Sequence, residues 1–178
     1  DIGTVYGKGE PGNAIAAGQM YAKRSDQRDA HYSLAMIPFS ENVTVSDVII
    51  DGKINCSISK NVSQTTDERW PAFVSSVLGL ASGTTTLKNV TVRTGISVTE
   101  DTNAPKFNIW QSGFVGRCQG TKLDVTKCTW GSSSSLSDER DKDEHRIGGL
   151  AAEVMGGCTV TVKDSILSGT ITSKITAT

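Results

Sequence analysis

The residues of this 178-residue chain best placed to meet a ligand are Tyr32, Trp70, Trp110 and Arg146. Each stands two to four residues before a strand-like apolar anchor, at Leu34, Phe73, Phe114 and Leu150, and each closes a long polar segment. Stacked into a row, flat aromatic faces would suit the apolar faces of sugar rings while polar tips form hydrogen bonds. The blander reading, a stack that seals the core at the loop corner, is the favoured one of the two. These four are the candidate ligand-binding residues. The run Asp138-Glu139-Arg140-Asp141-Lys142-Asp143-Glu144 offers oxygen ligands to a hard cation such as calcium. It lacks the alternating acidic positions and the glycine of a calcium loop, and two basic residues interrupt it, so it reads as a solvated loop. The two histidines, His31 and His145, border loops and stand in no catalytic constellation with Ser or Cys. No catalytic residue, metal site or cofactor is assigned.

Cys56, Cys118, Cys128 and Cys158 are spread singly, without the C-x-x-C pairs of a zinc site. A chain of this length has no need of a disulfide framework, so they read as reduced, core-filling residues, with Cys118 and Cys128 the first pair to check. Sequons at Asn42, Asn55, Asn61 and Asn89 would matter in a eukaryotic source. In so Ser- and Thr-rich a chain they also arise by chance, and Cys56, next to Asn55, should point inward.

The elements that must position these residues are written in a repeat. Segments 43–54 (VTVSDVIIDGKI), 85–96 (TTLKNVTVRTGI), 122–133 (KLDVTKCTWGSS) and 160–171 (VTVKDSILSGTI) superimpose. Their vertical columns are Val43/Thr85/Leu123/Val160, Val45/Leu87/Val125/Val162, Val48/Val90/Cys128/Ser165 and Ile50/Val92/Trp130/Leu167. Inside each strand these positions are two apart, as alternate side chains on one face must be. Across the polar pairs Ser46-Asp47, Lys88-Asn89, Thr126-Lys127 and Lys163-Asp164 they are three apart. Both halves can face one interior only if the chain bends there, and Asp or Asn tolerates the left-handed conformation such a corner needs. Stacked coils would turn each column into a continuous ladder, which makes Trp130 a packing residue. Gly52, Gly95, Gly131 and Gly169 recur after the second strand at intervals typical of solenoids. Upstream, SLAMI (33–37), AFVSSVLGL (72–80), GFVGRC (113–118) and GGLAAEV (148–154) supply a third face. Residues 13–24 read as a short capping helix or as part of a long loop.

The long variable segments, 57–69, 97–109 and 132–145 with 6–31 before them, all fall at one phase of the repeat. Insertions at one phase of a solenoid emerge on one face, where binding groups usually sit.

Composition sets the outer limits. A formal charge of −1 with 21% charged residues gives no basic footprint for nucleic acid. No apolar run approaches a membrane span. Abundant Ser, Thr, Gly and Val with few aromatics favour an all-β protein. The outward positions Ile49, Asp51, Thr91, Arg93, Thr129, Ile166 and Ser168 carry a single carboxylate, too few for the acid–base pair or calcium cluster of a polysaccharide lyase or hydrolase.

The stretch GGLAAEVMGGCTVTVKDSILSGTIT (148–172) resembles the GLUG repeat of bacterial surface proteins, with its Gly-rich start, apolar strand, Asn/Asp corner and closing glycine strand. SGFVGRCQGTKLDVTKCTWG (112–131) keeps the same order. Residues 72–96 lack the opening glycines, and residues 33–54 keep only the second half. The resemblance implies a fold, with no catalytic signature, and a secreted bacterial location in an adhesin or in the non-catalytic part of a secreted peptidase.

The expectation is therefore an all-β, right-handed parallel β-helix of about four coils with long loops at one corner. It is a single domain over 1–178, with repeats at 6–54, 55–96, 97–133 and 134–172, belonging to a longer repeat protein. The expected role is a non-catalytic surface module on the bacterial cell surface, binding a glycan or surface protein through the loop face. The alternatives are a passive stalk and an accessory region of a secreted peptidase or glycosidase; a polysaccharide lyase or hydrolase ranks last. Neighbouring repeats or domains of the parent chain are the other expected partners; nucleic acid and membrane insertion are not expected.

Overall fold

A computed structural model describes residues 32–58, 70–100, 107–140 and 145–174. The candidate helix at 13–24, His31, Asn61 and residues 141–144 of the acidic run lie outside them. The described strands are β1 (Tyr32–Leu34), β2 (Ile37–Glu41), β3 (Thr44–Ile58), β4 (Trp70–Ser75), β5 (Leu78–Glu100), β6 (Phe107–Ser112), β7 (Val115–Thr126), β8 (Thr129–Trp130), β9 (Ser135–Asp138), β10 (His145–Gly148), β11 (Ala151–Val154), β12 (Thr159–Lys163), β13 (Ile166–Leu167) and β14 (Thr170–Ser173). Each pairs in parallel with a strand one turn away in the chain, as β3 does with β5 and β5 with β7. The result is a right-handed parallel β-helix of about three turns. One face is the sheet β1-β4-β6-β10; the remaining strands form a second, larger sheet that wraps round the other faces.

The apolar columns read from the repeat are the columns of the fold. Val45 pairs with Leu87, Leu87 with Val125, and Val125 with Val162. Ile50, Val92, Trp130 and Leu167 stack in the same way. The bend that permits this sits where the polar pairs are. Asp47, Asn89, Lys127 and Asp164 all have φ between 50° and 56°, the left-handed region. Asn89 Nδ2 donates to Asp47 Oδ1 at 2.8 Å, so neighbouring corners are tied side chain to side chain. That hydrogen bond is also the main reason the Asp47 carboxyl is held below its ordinary value. Lys127 adopts the corner with neither an amide nor a carboxylate to support it; a left-handed conformation costs an ordinary side chain about 1–2 kcal/mol.

Two expectations about register are corrected. The recurring glycines do not form one column: Gly52 pairs with Thr94, Gly95 with Ser135, and a turn at Gly131–Ser134 restores the register before β9. The upstream apolar stretches are not a single face either. Each bends between two strands, so that Leu34, Val74, Gln111 and Ile147 share one rung position, while Phe114 joins Val77 and Leu150 at the bend.

Trp130 is 3% exposed and lies in the core, as its column implied. Three glycines make room for its indole. A Cβ at Gly169 would fall 2.5 Å from the ring, at Gly149 2.7 Å and at Gly113 2.9 Å. Gln111, fully buried, spans the interior: its Nε2 donates to the carbonyls of Ile96 at 3.0 Å and Ser137 at 3.2 Å. An amide in an apolar column is tolerated because its donors are satisfied across the core.

Burial is uneven along the axis. In the rung formed by β7, β8 and β9, Val125, Trp130 and Leu136 are at most 3% exposed. In the last rung their column partners Val162, Leu167 and Ile171 are 44–47% exposed.

Candidate functional site

Strands β4, β6 and β10 begin where the long segments return to the scaffold. The segment ends stack: Ile58 at the close of β3 pairs with Glu100 at the close of β5, and Trp70 at the start of β4 pairs with Phe107 at the start of β6. All three insertions therefore leave and re-join the helix at one corner. Two polar assemblies lie in the last two rungs: an inner one closes this corner, and an outer one fills the angle where β6 and β10 bend into β7 and β11.

The outer assembly is built round Trp110. On the outward side of β6 it stacks against Phe73 of β4, with ring centroids 5.6 Å apart and planes tilted by 46°. Arg146 of β10, its pairing partner in the next rung, lies 5.4 Å from the indole centroid, and Arg117 of β7 lies 5.8 Å from it. Glu153 of β11 ties the two guanidiniums: Oε2 is 2.7 Å from Arg117 Nε, and Oε1 contacts Arg146 Nη1. Phe73, Leu80 and Trp110 form an apolar cluster separate from the main core, with Phe39 and Ala152 beside it. It is close-packed because Gly116 lets the strands approach: a Cβ there would meet Phe73 Cβ at 2.9 Å. Cations over an aromatic face gain most when partly desolvated. Arg117 is mostly covered, whereas Arg146 keeps 39% of its side chain exposed.

The inner assembly closes the segment between β9 and β10. Asp138, an inward position whose counterparts are Cys56 and Val98, accepts from Arg140 Nε at 3.0 Å and Nη2 at 2.8 Å, and from the Arg140 backbone N–H at 3.0 Å. His145 Nδ1, on the far side of the segment, is 2.7 Å from Asp138 Oδ2. Side-chain exposure is at most 1% for all three. The expectation that the acidic run is solvated is thus corrected at its start. Asp138 and Arg140 are interior, because a bidentate pair supplies the hydrogen bonds that burial removes. Among the described residues, no group of three His, Cys, Asp or Glu side chains is placed to hold a metal ion.

The sequence-predicted row divides. Trp110 and Arg146 are neighbours in one column with Phe73. Tyr32 pairs with Ala72, in the column that continues to Ile109 and His145, and Trp70 pairs with Phe107. Trp110 itself is only 6% exposed. Its flat face is occupied by arginines, so it packs rather than presenting a platform. Arg117 and Glu153 were missed, although the repeat alignment places GFVGRC over GGLAAEV and so brings these opposite charges to directly paired positions.

The cysteines are all free. Burial pushes the Cys56 thiol up to about 11 and Cys118 to about 12, and it raises Cys128 as well. Burial holds these three mainly as thiols, so each reacts slowly at neutral pH, since reactivity requires the thiolate. Comparison of the chain with family models, with curated proteins and with solved structures finds no match.

Proposed function

We propose that this chain is a non-catalytic extracellular surface module, adhesin-like, that meets a surface glycan or protein through the loop corner of a rigid β-helix. The observation that carries the reading is the stacking of the segment ends: Ile58 pairs with Glu100, Trp70 with Phe107, Val98 with Asp138 and His145 with Ile109, so the strands break off and resume at one corner. Loops held on a stiff scaffold are a common way to build a recognition surface. The clasp of Asp138, Arg140 and His145 supports it, because it fixes the base of the third loop at both ends. The half-exposed Arg146, oriented by Trp110 and Glu153, is the described side chain best placed to reach a partner held there. The GLUG-type resemblance supports a bacterial cell-surface location. A passive stalk is the second reading. It is favoured by the exposed apolar positions of the last rung, a surface that a further rung would cover.

A glycan array and a panel of surface proteins, probed with the full chain, separate the two. Binding through the loop corner predicts a signal that falls at least tenfold on average in Trp70→Ala, in Arg146→Ala and in a variant whose residues 101–106 become Gly-Ser, with Thr91→Asp unaffected. No signal on either array, or a signal insensitive to all three changes, rejects the loop corner in favour of the stalk.

A further inference from the structure

We propose that Cys118 and Cys158 form a redox pair that closes to a disulfide and staples the last rung to the one below. The two lie on either side of one corner in adjacent rungs: Cys118 ends the first straight part of β7 opposite Val154, and Cys158 follows the turn after Val154. Cys158 Sγ is 3.4 Å from the Cys118 carbonyl oxygen. That oxygen is itself about 2.4 Å from its own Cα by standard bond geometry, so Cys158 sulfur is at most about 6 Å from Cys118 Cα. The rung partner of Cys118 is Val154, so the two cysteines face each other diagonally across the corner, and the contact of Cys158 sulfur with the Cys118 carbonyl is what brings the pair within reach of a bridge. The Thr121 N–H donates to Cys158 Sγ at 3.3 Å and orients the sulfur toward this corner. Burial raises the Cys118 thiol first of all, and the nearness of Cys158 adds to that rise. The pair first suggested by the sequence, Cys118 with Cys128, is not the one brought together: Cys128 sits beyond the Lys127 corner, its thiol directed to the Thr126 carbonyl.

The chemistry is thiol–disulfide exchange with a small-molecule disulfide such as oxidised glutathione. Cys158 is half-buried, whereas Cys118 is fully enclosed, so Cys158 reacts first. Its thiolate attacks one glutathione sulfur and expels the other as a thiolate, leaving a mixed disulfide. The Cys118 thiolate then attacks the Cys158 sulfur and expels the second glutathione. Two thiols lose two protons and two electrons, and one oxidised glutathione becomes two reduced ones. The second step is slow at neutral pH, because so little Cys118 is ionised, and accelerates as pH rises. The product pins β11 and β12, which carry the exposed Val154 and Val162, onto β7.

The test is to hold the full folded chain in oxidised glutathione at pH 7 and pH 9, alkylate, and map peptides without reduction. Expected is a Cys118–Cys158 link that forms at least tenfold faster at pH 9, with Cys56 and Cys128 remaining alkylatable after unfolding. Amide exchange over residues 159–173 should slow at least threefold on oxidation and recover on reduction, and Cys158→Ser should show neither change. A persistent mixed disulfide on Cys158 with Cys118 still a thiol, a link between other cysteines, or no reaction until the chain is unfolded would each overturn the pairing. The wild-type map alone decides this if the serine variant fails to fold.

Discussion

Val125 and Val162 carry the same side chain in the same column one rung apart, yet one is 1% exposed and the other 44%. Leu136 and Ile171 repeat the contrast, at 0% and 47%. Nothing in the local pattern distinguishes the members of either pair. What differs is the number of rungs that cover them. In a solenoid the stabilisation of a repeat is shared between its own strands and the interfaces to its neighbours. Full burial of a Val, Leu or Ile side chain contributes about 1.5–3 kcal/mol, and the last rung collects only part of that.

Aspartate substitutions should separate the two rungs most widely. Val125→Asp places an unpaired carboxylate in the closed interior and should cost about 4 kcal/mol or more, enough to lower the melting temperature sharply or abolish folding. Val162→Asp should cost about 1 kcal/mol, since its carboxylate can reach water, and Thr91→Asp on the outward side of β5 about 0.5 or less. Equal losses at Val125 and Val162 by thermal melting would show that the last rung is closed.

The clasp sharpens the contrast from a different side. Asp138→Ala leaves Arg140 and His145 without the carboxylate they share in a dry site and should cost about 3 kcal/mol by denaturant unfolding. A loss below about 1 kcal/mol would place the pair in solvent instead. Truncation at the apolar column comes next. Leu136→Ala should cost about 2–4 kcal/mol, whereas Ile171→Ala should cost less than about 1. The smallest effect has the opposite sign. Lys127→Asn puts at the third corner the residue type that serves the second, and should stabilise by about 0.5–1 kcal/mol, read as a small rise in melting temperature.

These contrasts also mark what the sequence discloses. The columns through Val45 and Ile50 were legible because two periods meet at a polar pair, and only a bend reconciles them. The left-handed residues Asp47, Asn89, Lys127 and Asp164 stand at that bend. The opening strands were not legible in the same way. Their distance from the preceding glycine varies with loop length, and the column Leu34, Val74, Gln111, Ile147 is broken by an amide whose partners lie across the core. Aligning by anchors therefore placed Phe73 with Phe114, when Phe73 belongs beside Trp110. The clasp was hidden for a similar reason. Asp138 and Arg140 read as a solvated acidic run until the register with Cys56 and Val98 carries them inside. Whether a charge is buried depends on the rung above and below, which local composition does not encode.

The most direct test of the stacked interior is a methyl NOE map of the Val and Leu side chains. The β-helix predicts contacts from Leu87 to both Val45 and Val125, and from Val125 to Val162, with none between Val45 and Val125. Direct contact between Val45 and Val162, or no contact between Leu87 and Val125, would contradict it.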